Sequence, residues 1–154
     1  MVHQSGTTLG EKNDFFDELG TTGQRTLLDQ TGSNYRIFAG SSATSSLSSD
    51  TNKNLITAIY NGASSILAKN GTAESALNPS TQSISSTSAI GFSENATQYY
   101  QGTMQEFIIY GNSNQSENRR ALEESISGHY GITLGSFNRD GFVRTWYDQS
   151  VTGQ

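Results

Sequence analysis

Alternation of apolar and polar positions, rather than a helical period, organises most of this chain. The run from Asn54 to Tyr60 holds Leu-Ile-Thr-Ala-Ile-Tyr and predicts a strand. Asn61-Gly62 follows as a turn, Ser65 to Lys69 returns as its partner, and Asn70-Gly71 closes the partner with a second turn. Upstream, Arg25 to Asp29 and Tyr35 to Ala39 predict two strands joined through Thr31-Gly32-Ser33-Asn34. Ser88 to Phe92 predicts a short strand. Tyr99-Tyr100-Gln101-Gly102 then leads into Thr103 to Tyr110, the most convincing strand pattern, in which alternation places Glu106 on the sheet surface between Met104 and Ile108. Near the end, Gly141 to Ser150 (GFVRTWYDQS) alternates again. Phe142, Arg144, Trp146 and Asp148 point one way, and Val143, Thr145, Tyr147 and Gln149 the other.

The intervening segments are less patterned. Met1 to Gly23 is polar and Gly/Thr-rich, with Phe15-Phe16 its one apolar pair, and predicts a loose start with a short strand or helical turn around Asp14 to Leu19. Gly40 to Asp50 is nearly all Ser, Thr and Ala, which favours a solvated loop over its alternative, an edge strand of small side chains. Thr72 to Thr87 is polar and contains the single proline, Pro79, so Asn78-Pro79 marks a turn. One helix is expected from Glu117 to His129, capped by Ser116 and stopped by Gly131, with Leu122, Ile126 and Tyr130 forming one stripe. Leu134 to Asp140 reads as a linker.

Composition narrows the class. A length of 154 residues suits one domain. Only 32% of residues are hydrophobic, yet 10% are aromatic and the net charge is -5, so a β-rich domain with long polar loops fits better than disorder. An acidic balance with scattered Lys and Arg argues against a nucleic-acid surface. No apolar run is long enough to span a bilayer, no secretory signal peptide is evident, and no membrane insertion is expected. Without cysteine there are no disulfides and no thiolate zinc sites, and two well-separated histidines argue against a His-based site.

Sugar binding needs aromatic faces beside amide, carboxylate or guanidinium groups. Arg144, Trp146, Tyr147, Asp148 and Gln149 form one such set, and Tyr99 with Tyr100 another. Each has a plainer reading. Trp146 alternates with Phe142 as a core residue would, Asp148 suits a turn, and consecutive Tyr99-Tyr100 in a strand place one ring on each face, so at most one meets a ligand. Glycoside hydrolysis needs two carboxyl groups about 5 to 9 Å apart. Here Glu106 stands alone on its strand and Glu123-Glu124 reads as a solvated helix face, so no enzyme is expected. No cofactor is expected either. Calcium is the one candidate, through Asn112, Asn114, Asn138, Asp140 and Asp148, for which ordinary turn roles remain the simpler reading.

Four stretches share a resemblance. GFVRTWYDQS, LITAIYNGASSILAKNGT, YYQGTMQEFIIYGN and NRRALEESISGHYGI resemble segments of concanavalin A-like (laminin-G-like) jelly-roll domains of phage and marine bacterial proteins. A related YDQSG run occurs in fungal-type α-L-arabinofuranosidases of that fold, where Gly and Asn follow; here Val151-Thr152-Gly153-Gln154 follows. The order is unusual, because the family's opening segment stands after its closing helix. The favoured expectation is one permuted or re-cut domain, 1–154, with residues 136–154 folding back into the same sandwich; the alternative is the start of a second domain. The resemblance implies an all-β, antiparallel jelly-roll β-sandwich of concanavalin A-like type with one helix near residues 116–130. It implies a non-catalytic carbohydrate-binding or adhesion module of a phage, virion or bacterial surface protein, extracellular or on the virion surface, whose partner is a glycan or cell-surface polysaccharide. The runner-up is a structural or protein-interaction module contacting neighbouring domains or subunits. A hydrolase remnant comes last, since the family's Glu-x-Asp-x-x-Glu pattern is missing.

Overall fold

Strand-length runs separated by short turns resolve into two antiparallel sheets. The structure, a computed structural model, describes residues 1–6, 13–18, 25–83, 87–93, 98–112 and 118–135. In chain order the strands are β1 (Val2–Ser5), β2 (Asn13–Glu18), β3 (Thr26–Thr31), β4 (Asn34–Ala39), β5 (Ser42–Ser48), β6 (Lys53–Ile59), β7 (Ser65–Lys69), β8 (Thr72–Leu77), β9 (Ser88–Ile90) and β10 (Gly102–Glu106), followed by helix α1 (Arg119–Tyr130). One sheet runs β10-β1-β6-β7-β8 and the other β5-β4-β3-β2-β9, and the chain crosses between them after β1, β5, β8 and β9. The expected all-β antiparallel sandwich with a single helix is therefore the architecture of the described residues.

The core lies between the sheets. On β4, Tyr35, Ile37 and Ala39 are buried while Asn34, Arg36 and Phe38 alternate outward. Register carries that row across the sheet, Ile37 facing Leu28 and Leu28 facing Phe16. Ile56, Leu67 and Leu77 meet it from the other sheet. Burying such side chains is the main favourable term in folding.

Several expectations are corrected. The start of the chain is not loose: β1 sits between β10 and β6, and a bulge between Asp14 and Phe16 brings both Phe15 and Phe16 into the core. Several of its buried polar residues are partnered, the Asp17 carboxylate accepting from Arg25 and Glu18 accepting from the backbone N–H of Thr26. Gly40 to Asp50 contains the edge strand β5 rather than a solvated loop, with Ala43 and Ser45 turned inward. Small side chains suit this edge, where β5 lies close to β7 and β8 of the facing sheet. Thr72 to Thr87 likewise yields an edge strand, β8. The strand expected to reach Tyr110 ends at Glu106, and residues 107–110 leave the ladder.

Helix α1 packs against β6 and ends at Gly131, whose φ of 67° is left-handed and suits a residue without Cβ. The Ser116 cap lies outside the described residues, and Asn118 stands at the N-cap without a side-chain capping bond to the helix. Leu122, Ile126 and Tyr130 are half-buried, but the fully buried helix positions are Glu123 and Ser127. Glu123 therefore does not lie on a solvated face. The 136–154 segment, with its expected return into the sandwich, lies outside the described residues. No helix among the described residues is long and apolar enough to cross a membrane.

Candidate functional site

The register places the C-terminal ends of β4, β6, β8 and β10 and the start of β3 at one end of the sandwich. A cleft of about 700 Å³ opens there. Its floor is apolar, built from Phe16, Leu28, Ile56, Ala58 and Phe107. Arg119, Leu122, Glu123 and Ile126 of α1 form one wall, residues 108–112 another, and Asn61 with Ser80 to Ser83 the rim.

Each part has a local cause. Phe107 stays with the core, its ring stacked on Phe16 at a centroid distance of 5.9 Å. Three large apolar residues then follow in a row, and they cannot all face inward from extended chain. Ile108, Ile109 and Tyr110 are 41%, 57% and 49% exposed. The rim loop is tied by its backbone: Ala39 and Ser41 N–H groups both donate to the Pro79 carbonyl, and Gln82 N–H donates to the Ala39 carbonyl. Thr26 Oγ1 adds a bond to the Gln82 carbonyl at 3.2 Å. Tyr60, whose ring lines the cleft, donates its hydroxyl to the Leu27 carbonyl at 2.6 Å, and burial pushes its pKa up. Asn61 is exposed; its backbone N–H donates to Ser65 Oγ, and its side-chain amide makes no hydrogen bond among the described residues.

The only charged side chains lining the cleft among the described residues are Arg119 and Glu123. Arg119 Nη1 donates to both carboxylate oxygens, at 2.9 and 3.1 Å. Both groups are largely shielded, the side chains being 14% and 2% exposed.

The site residues expected from sequence do not converge on this cleft. Tyr99 is 57% exposed, bridges to Phe92 and lies elsewhere. Tyr100 turns inward: its ring lies 5.0 Å from that of Phe15, its hydroxyl is 3.1 Å from His3 Nδ1, and burial pushes its pKa up to about 12. The neighbours thus face opposite ways. Arg144, Trp146, Tyr147, Asp148 and Gln149 lie outside the described residues, as do the calcium candidates Asn114, Asn138 and Asp140. Asn112 is at the cleft. Among the described residues no group of three or more His, Cys, Asp or Glu side chains is placed to hold a metal ion. Glu106 is half-buried at the end of β10, opposite Val2.

Tyr110, Asn61 and the Arg119–Glu123 pair were not singled out as site residues. The Phe-Ile-Ile-Tyr run held the signal, because it breaks alternation just where the strand ends. Comparison with known proteins found no match to this chain among protein-family models, curated proteins or solved structures.

Proposed function

We propose that this chain is a non-catalytic carbohydrate-binding or adhesion module that holds a glycan in the cleft at the open end of its sandwich. One observation carries the reading: the same cleft is lined by an exposed aromatic residue, Tyr110, and by neutral amides and hydroxyls from Asn61, Thr81 and Gln82. That is the chemistry a sugar needs, a flat apolar surface for its C–H face and paired donors and acceptors for its hydroxyls. The one cleft carboxylate among the described residues, Glu123, is bound at both oxygens by Arg119, which favours holding a ligand over transferring protons. The sequence resemblance supports a phage, virion or bacterial surface setting.

A glycan-array screen followed by titration calorimetry tests it. Binding by the intact chain and its loss in Tyr110→Ala and Asn61→Ala variants with unchanged circular dichroism are expected. Binding that survives both substitutions would place the ligand elsewhere, with exposed Tyr99 the next position to examine.

A second reading, a protein-interaction module, is favoured by the consecutive exposure of Ile108, Ile109 and Tyr110. It predicts concentration-dependent self-association, or retention on a partner column, that Ile109→Ser abolishes.

A further inference from the structure

We propose that Glu123 sets the ligand class of the cleft: by neutralising Arg119 from within the wall, it restricts the site to uncharged saccharides. The inference rests on the glycan-binding reading of the same cleft. Arg119 is the only cationic side chain lining the cleft among the described residues, and its Nη1 donates to both oxygens of Glu123. Met1 also lines the cleft; its amino group donates to the Ile56 carbonyl, and burial pushes the pKa of that group down to about 6. An acidic sugar entering the cleft would shed water from its carboxylate or sulfate. It would meet a cation already neutralised and an anion within about 3 Å of that cation. The desolvation would be left uncompensated, and the second carboxylate would add like-charge repulsion. A neutral saccharide meets no such penalty, because the rim groups that reach it, Asn61, Thr81 and Gln82, are uncharged.

An ordinary i,i+4 pair on a helix surface contributes little to stability. The Arg120–Glu124 pair, one residue further along, is of that kind, with side chains 32% and 42% exposed. The Arg119–Glu123 pair differs in facing the cleft and in burying its carboxylate, a cost that burial of ions does not repay in stability alone. Selecting the ligand's charge gives that cost a use.

The test is a matched panel of neutral oligosaccharides and their acidic counterparts, such as galacto-oligosaccharides with oligogalacturonates and lactose with sialyllactose. It is applied to the full chain, to Glu123→Gln, and to the double variant Arg119→Gln/Glu123→Gln, each checked by circular dichroism. The intact chain is expected to bind a neutral member about tenfold or more tighter than its acidic counterpart. Glu123→Gln removes the carboxylate that neutralises the guanidinium from within the wall and shifts that ratio about tenfold toward the acidic member. The double variant, having no net charge in the wall, keeps the original preference and remains a test if Glu123→Gln alone does not fold. Acidic preference in the intact chain, or an unchanged ratio in folded Glu123→Gln, would overturn the inference and leave the glycan reading standing. A shift toward acidic ligands in the double variant would also overturn it. Failure of every panel member to bind the intact chain would overturn both.

Discussion

His3 Nε2 lies 3.2 Å from the hydroxyl of Tyr35, joining β1 of one sheet to β4 of the other through two residues with no exposed surface. The other ring nitrogen, Nδ1, lies 3.1 Å from the Tyr100 hydroxyl, which in turn lies 3.3 Å from the Thr103 carbonyl. The network assigns the tautomer. Tyr100 donates to that carbonyl and accepts from Nδ1–H, leaving Nε2 to accept from Tyr35. Phe15 packs on the imidazole at a centroid distance of 4.7 Å. The ring is a neutral pin through the core.

Acid should pull that pin. Burial, reinforced by the chain's amino terminus, lowers the His3 pKa from its ordinary 6.5 to about 3. Between those values the unfolded chain binds a proton that the folded chain refuses, so this group's contribution to stability falls as pH falls. The slope is at most about 1.4 kcal/mol per pH unit. Replacing His3 with Phe should abolish this slope. It should also lower stability at pH 7 by on the order of 1–3 kcal/mol for each tyrosyl hydroxyl left unpaired. Urea denaturation midpoints across pH 4–8 measure both effects.

Asp14 acts in the opposite direction over much of the same range. It faces Asp29 across the β2–β3 ladder, its Oδ2 makes no hydrogen bond, and it is 2% exposed. Burial first, and then the charges of Asp29 and Asp17, raise its pKa from 3.8 to about 6. Here the folded chain holds the proton more tightly, so the contribution is intact below pH 3.8 and is lost as pH rises through about 6. Asp14→Asn should therefore stabilise the protein at pH 7 by on the order of 1–3 kcal/mol, with the advantage closing near pH 4. It should also unmask the His3 slope, which Asp14 offsets in the native chain. A denaturation series showing no gain at pH 7 would contradict this account.

The central hairpin was legible in the sequence because its turns are local chemistry: Asn61-Gly62 and Asn70-Gly71 bracket β7 as expected. The helix was legible for the same reason, through its period and its terminal Gly131. What composition concealed was burial of polar residues. Asn13, Asp14, Asp17 and Glu18 look like solvated chain, yet β2 is buried along its whole length, with partners for Asn13, Asp17 and Glu18 supplied from outside the strand by Gln101, Arg25 and Thr26. Glu123 was misread similarly, since its neutralising Arg119 and the cleft it faces emerge only once the helix is docked. Sequence placed aromatic recognition at Trp146 and Tyr147, which lie outside the described residues, and at no more than one of Tyr99 and Tyr100; the fold commits Tyr100 to His3, leaves Tyr99 exposed and places Tyr110 at the cleft.

Gly102 is a second point where the pin meets the backbone. A Cβ there would collide with the Gln4 carbonyl oxygen across the β1–β10 pair and with the Tyr100 hydroxyl. Neither the strand partner nor a hydroxyl held between His3 and Thr103 can retreat freely. Gly102→Ala should cost on the order of 1–3 kcal/mol, as overpacking does. Gly111→Ala, whose added carbon meets nothing within 4 Å, should be near neutral. Thermal melts of the two variants side by side measure the contrast, and equal midpoints would remove the steric argument.

Glu74 on β8 reaches across the open edge of the sandwich to Ser46 on β5, its Oε2 accepting from the Ser46 backbone N–H at 2.6 Å and from Ser46 Oγ at 2.8 Å. Both strands are sheet edges. An edge strand offers unpaired backbone groups to other chains unless something covers or occupies them. Here a carboxylate from the facing sheet takes up one of those outward N–H groups, so the contact both ties the layers together and blunts the edge. Because Ser46 is exposed, the stability at stake is small, on the order of 0.5–1.5 kcal/mol. The local effect should be larger than the global one. Glu74→Ala is expected to raise the hydrogen-exchange rate of the Ser46 amide while leaving core amides such as Ile37 protected, and to increase aggregation on gentle heating. If exchange at Ser46 is unchanged in the variant, the carboxylate is not what holds that edge.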